Sequence, residues 1–187
     1  MLVFGHIGWT LGLARALSRE IDARWVAVAA LLPDLIEKPL RVLAPGFTQG
    51  NTRTGGHALT VMLVGMVLVA FPLRRTIRGA WVVALALPVP LLLDGMWMPD
   101  MRVSLLWPWA GSAFPPLDEV GVQGLVAHLL YDLADPVNLA GELGGLLVLG
   151  CLWRWGGLAD ATRRARLWRT GLLVPIRRGA KAEEILA

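Results

Sequence analysis

Apolar runs at about 4–19, 24–36, 57–73, 79–96 and 136–154, with a shorter one at about 121–134, dominate the chain, and histidines or carboxylates sit at or inside their ends. Apolar helices of this kind must bury their surface in lipid or in one another, and a charge placed among them needs a compensating partner. In "VAALLPDLIEKPL", residues 28–40, an apolar run meets Pro33 and places Asp34 directly after it, with Glu37 and Lys38 close behind. Proline inside a helix removes a hydrogen bond, so the sequence predicts a helix break at Pro33 and Asp34 at a helix end.

The composition fits an integral membrane protein better than a water-soluble domain. Of the 187 residues, 56% are apolar and 17% charged, and the mean hydropathy is +0.58. Nine tryptophans against one tyrosine and four phenylalanines suit a chain with many membrane–water boundaries. The single Cys151, within an apolar run, excludes an intrachain disulfide framework and a cysteine-based metal site. The N-terminal run has no basic residue before it and no small-residue cleavage pattern, so a cleaved signal peptide is not expected. A pI near 10.2 could indicate nucleic acid, but the basic residues lie in short turns and a tail, and no direct nucleic-acid binding is expected.

The fold class expected is all-α: a polytopic membrane helical bundle with several short or re-entrant helices, comprising a membrane-embedded domain over 1–154 and a basic tail over 155–187. Several runs fall short of the roughly 20 residues that cross a bilayer core. Lys and Arg collect on the cytoplasmic side of bacterial membranes. Placing the turns at 15–24 and 74–78 and the tail from 154 in the cytoplasm puts 14 basic residues there and leaves Lys38, Arg41, Arg53 and Arg102 outside. His6, Asp34, His57 and Asp94 then all fall at the outer ends of their helices. Glu142, about one and a half turns into the last long helix, enters from that side too.

Each of these residues has a plain structural reading beside a chemical one. His6 can be a hydrogen-bonded core histidine or a ligand, and Gly8 with Gly12 forms a small-xxx-small pair that lets another helix approach. Asp34 can cap a helix or hold a metal or proton; His57, after two glycines, can start a helix or face a ligand. Asp94 follows an apolar run containing Pro88 and Pro90, which open the helix near the carboxylate. Two imidazoles and two carboxylates suit a divalent ion, Zn²⁺ before Mn²⁺ or Fe²⁺, with a place for water. Arg53 can pair bidentately with a phosphate or carboxylate, or with Asp34 or Glu37. His128 and Asp132 share a helical face at i, i+4, either as an ordinary polar pair or as further ligands.

The motifs "GHIG", "LLPDLIEKPL", "RTGGHALT" and "LLLDGMW" followed by "LLWPWAG" resemble the YdjM-type membrane-bound metal-dependent hydrolases, a family also described as LexA-binding and inner-membrane-associated. The resemblance spans roughly residues 4–150. It implies His6, Asp34, His57 and Asp94 as metal-site positions, with Arg53 at the arginine of an R-x-x-x-H motif. It differs in two places: Pro90 stands where the fourth motif has histidine, and Ala58 follows His57 where serine is usual.

Two functions follow. One is a membrane-embedded hydrolase with His57, Asp34 and Arg53 as its catalytic residues, acting on a phospholipid or other phosphoester at the extracytoplasmic interface of the bacterial inner membrane. The other is a non-catalytic membrane protein with a structural polar or metal site, whose tail, "TRRARLWRTGLLVPIRRGAK", binds anionic lipid or a cytoplasmic partner. A transporter is a third possibility, made less attractive by the lack of an inverted repeat.

Overall fold

The computed structural model describes residues 3–43, 55–75, 79–111 and 121–174. It is all-α in these residues. Nine α-helices follow in order: α1 (Val3–Leu17), α2 (Ala23–Leu43), α3 (Leu59–Leu73), α4 (Ala80–Ala86), α5 (Val89–Leu93), α6 (Arg102–Leu105), α7 (Gly121–Ala134), α8 (Pro136–Gly156) and α9 (Ala161–Thr170). Short 3₁₀ turns at Gly55–His57 and Pro99–Met101 precede α3 and α6.

Helix α4 lies at the centre, with Ala80, Val82, Val83, Ala84 and Ala86 buried. Around it pack Ala14 of α1, Val26 and Ala29 of α2, Met62 of α3 and Leu91 of α5. Small side chains at these positions let the backbones come close together. The apolar segment expected as one helix over 79–96 divides at residues 87–88, where Pro88 precedes α5 and Pro90 takes its second position.

The most extensive helix pairing joins α1 to α8. A Cβ at Gly8 would overlap the carbonyl of Gly145, and one at Gly145 would overlap the backbone of Phe4 and Gly5. Across this seam Glu142 accepts from the Phe4 and Gly5 amides at 3.0 and 3.1 Å, satisfying free donors at the start of α1. Glu142→Gln is expected to lower stability by about 1–2 kcal/mol, since a charged cap is replaced by a neutral one, as a melting curve in detergent would register.

Helix α2 departs from the sequence expectation, running unbroken through Pro33 and Pro39 to Leu43. Pro33 is fully buried, so packing holds the helix across the hydrogen bond that proline removes. Asp34 therefore lies within a helix, not at its end, and Glu37 and Lys38 share its face at i+3 and i+4.

The opposite end of the fold is closed by the chain after α8. Asp160 caps α9 by accepting from the Arg163 amide at 2.9 Å, and Gly171 ends that helix with a φ of 74°. An isolated bridge then pairs Leu172 with Asp22, the Ala23 amide donates to the Gly171 carbonyl at 2.8 Å, and Leu173 is buried. Asp22 accepts from Arg24 Nη2 at 2.7 Å and Nε at 3.0 Å. Burial pushes the Asp22 carboxyl up, but the Arg24 hydrogen bonds outweigh it and hold the group below its ordinary 3.8. A carboxyl lowered on folding stabilises above its unfolded pKa and loses that contribution as pH falls through the folded value. The melting temperature of Asp22→Asn is therefore expected to lie below that of the unmodified protein at pH 7, with the gap closing as pH falls below about 4.

Among the described residues, one helix, Pro136–Gly156, is long and apolar enough to cross a membrane. Shorter apolar helices lie at Leu59–Pro72 and Ala80–Leu93.

Candidate metal centre

Four elements deliver the site. His6 comes from the first turns of α1, Asp34 from the second half of α2, His57 from the 3₁₀ turn before α3, and Asp94 from the residue that ends α5. The Asp94 amide closes onto the Pro90 carbonyl at 2.8 Å, and Gly95 turns the chain away with a φ of 66°. That turn fixes the carboxylate at the end of a proline-bearing helix.

The structure brings His6, Asp34, His57 and Asp94 together. His6 Nε2 lies 3.2 Å from Asp94 Oδ1, and His6 Nδ1 lies 3.6 Å from Asp34 Oδ2. His57 Nε2 lies 3.3 Å from Asp94 Oδ2 and 3.9 Å from Asp34 Oδ1. Among the described residues, Asp34, His57 and Asp94 offer ligand atoms that all lie within 4.8 Å of one another. Donors bound at about 2.0–2.2 Å to one tetrahedral ion stand roughly 3.3–3.6 Å apart, so this set is close to the spacing a shared ion imposes. His6 flanks the set through its contacts with Asp34 and Asp94.

Glu37 was not singled out as a site residue in the sequence, and it orients the centre. Its Oε2 lies 2.5 Å from His57 Nδ1 and its Oε1 accepts from the Gly56 amide. Both Glu37 and His57 are only 1% exposed. A Cβ at Gly56 would overlap the Glu37 carboxylate, which explains a glycine before His57. With Nδ1 engaged by a carboxylate, His57 directs Nε2 into the cluster, the arrangement that second-shell carboxylates impose on metal-bound histidines. His57 Nε2 is buried with no hydrogen-bond partner, and so is His6 Nδ1. Lys38 also joins the site, its Nζ 2.6 Å from Asp34 Oδ2. The signal for Glu37 and Lys38 was present as i+3 and i+4 spacing from Asp34, but the expected break at Pro33 hid it.

The remaining residues lie differently. Arg53 is outside the described residues. His128 Nε2 lies 3.7 Å from Asp132 Oδ2 on α7, and Asp132 also accepts from Asn138 Nδ2 at 3.2 Å. Neither belongs to the three-residue donor set. Glu142 is spent on the start of α1.

The donors fit a divalent ion: one imidazole and two carboxylates, with the buried His57 Nε2 facing both carboxylates, suit zinc, manganese or iron. Comparison with protein-family models, curated proteins and solved structures found no significant match.

Proposed function

We propose that the protein is a multi-pass membrane hydrolase of the YdjM type, dependent on a divalent metal and acting on a phospholipid or other phosphoester at the outer face of a bacterial inner membrane.

Charge supports the outer placement of the substrate: His6, His57 and Asp94 lie near the helix ends opposite the turns and tail that hold most of the arginines. The observation that carries the reading is the convergence of His57 Nε2 on Asp94 Oδ2 at 3.3 Å and Asp34 Oδ1 at 3.9 Å, while Glu37 holds the other ring nitrogen.

A multi-pass arrangement is supported by the apolar residues the fold leaves outside. Helix α8 has 21 residues with only 11% of its apolar window buried, unlike the core helix of a water-soluble protein. Helix α3 turns Leu63, Val64, Val67, Leu68 and Phe71 outward, and in water these would form one contiguous apolar face.

Asp34, His57 and Asp94 would hold the ion, which when bound supplies a water acidified to near neutrality. Water adds across the ester, its oxygen bonding to phosphorus as the P–O bond to the alcohol breaks and the alcohol leaves with a proton. Glu37 keeps His57 in the tautomer that faces the cluster, and Lys38 fixes Asp34. Arg53 is assigned to the anionic group of the substrate.

A second reading is favoured by the 2.6 Å Lys38–Asp34 pair, which neutralises one carboxylate with no ion and suits a structural polar network. Phosphate release from phosphatidic acid by the full chain in vesicles separates the two. The hydrolase reading expects metal-dependent release that falls by at least about 100-fold, close to 3 kcal/mol, in Asp94→Asn. Stoichiometric metal without hydrolysis of this or other phosphoesters would favour the structural site.

A further inference from the structure

An apolar groove of about 410 Å³ is lined by residues of the helices that carry the cluster, with Leu13, Leu17, Leu59, Leu85, Leu92 and Trp97 among its walls. We infer that this groove binds one acyl chain of the lipid whose polar end lies at Asp34, His57 and Asp94, an inference that rests on the function proposed above.

Continuity with the centre is the first argument. Leu59 stands two residues after His57, and Leu92 two residues before Asp94, so the elements that deliver the ligands also form the near wall. Leu13 and Leu17 lie seven and eleven residues beyond His6 on α1, about 10 and 16 Å farther along the helix axis. That reach matches one leaflet of a hydrocarbon core roughly 30 Å thick. A lipid of the outer leaflet, standing in its ordinary orientation, thus places its ester near the cluster and its chain along α1.

Chemistry selects the same occupant. Every residue of the lining is leucine, valine, proline or tryptophan, with no charge to meet a polar ligand. A chain of methylenes meets such a lining with no polar group left unsatisfied. The groove then reads chain length, with Leu13 and Leu17 at its far end.

The test uses the full chain in phosphatidylcholine vesicles containing phosphatidic acid with a mid-chain diazirine, followed by peptide mapping, with metal content measured on the same samples. Adducts are expected to concentrate on peptides carrying Leu13–Leu17 and Leu85–Leu92, exceeding those on the outward leucines of α3 and α8 by roughly fivefold. Leu13→Trp should remove that excess without changing metal content. Leu92→Trp, at a side chain 67% exposed and tolerant of bulk, should do the same. Even labelling over all outward leucines would show ordinary boundary lipid and overturn the inference, and so would adducts prevented by chain-to-chain crosslinks at the groove. Preferred labelling in a protein that binds no metal would sustain the groove while removing the hydrolase reading.

Discussion

Gly145→Ala is expected to lower the melting temperature of the detergent-purified protein by several degrees, whereas Gly150→Ala on the same helix should leave it nearly unchanged. The new methyl at 145 meets the Phe4 carbonyl and the Gly5 Cα, both backbone, while at 150 it meets nothing within 4 Å. Backbone cannot rotate away as a side chain can, so α1 and α8 must separate. Overpacking of this kind costs about 1–3 kcal/mol, or roughly 3–10 °C at this chain length. Separation would also pull Glu142 from the amides it caps. Equal melting temperatures for the two variants would mean that the helices do not approach this closely.

The second large effect falls on Glu37, which holds His57 Nδ1 from behind the donor set. Glu37→Gln is expected to weaken metal binding by about 10–100-fold, as loss of an orienting carboxylate behind a metal-bound histidine does. The amide keeps the volume but removes the charge that fixes the His57 tautomer at 2.5 Å. Competition with a chelator of known affinity measures the change. Unaltered affinity would place Glu37 outside the metal's influence and leave it a purely structural partner of Gly56 and His57.

The sequence made the helical class legible because apolar runs of helical length recur between basic turns. It also made His6, Asp34, His57 and Asp94 legible as candidates, since each is a histidine or carboxylate at or inside an apolar run and alternating helix directions with the basic turns grouped them on one side. Pro33 misled: an isolated helix would break there, but burial against neighbouring helices carries α2 on to Leu43. Glu37 and Lys38 were therefore read as lying beyond a helix when they share the face of Asp34. The pairing of Gly8 with Gly145 was half visible, as a small-xxx-small spacing on α1 whose partner only the packed structure supplies. The return of Leu172 to Asp22 left no local signal, because it depends on where α9 docks and not on a pattern in either segment.

Elemental mass spectrometry of the detergent-purified full chain tests the central claim most directly, with His57→Ala and Asp34→Asn measured alongside. The account predicts close to one zinc, manganese or iron per unmodified chain and its loss from both variants. An unmodified, folded protein that holds no metal even after reconstitution would contradict it, leaving His6, Asp34, Glu37, His57 and Asp94 as a polar network that packs the helices.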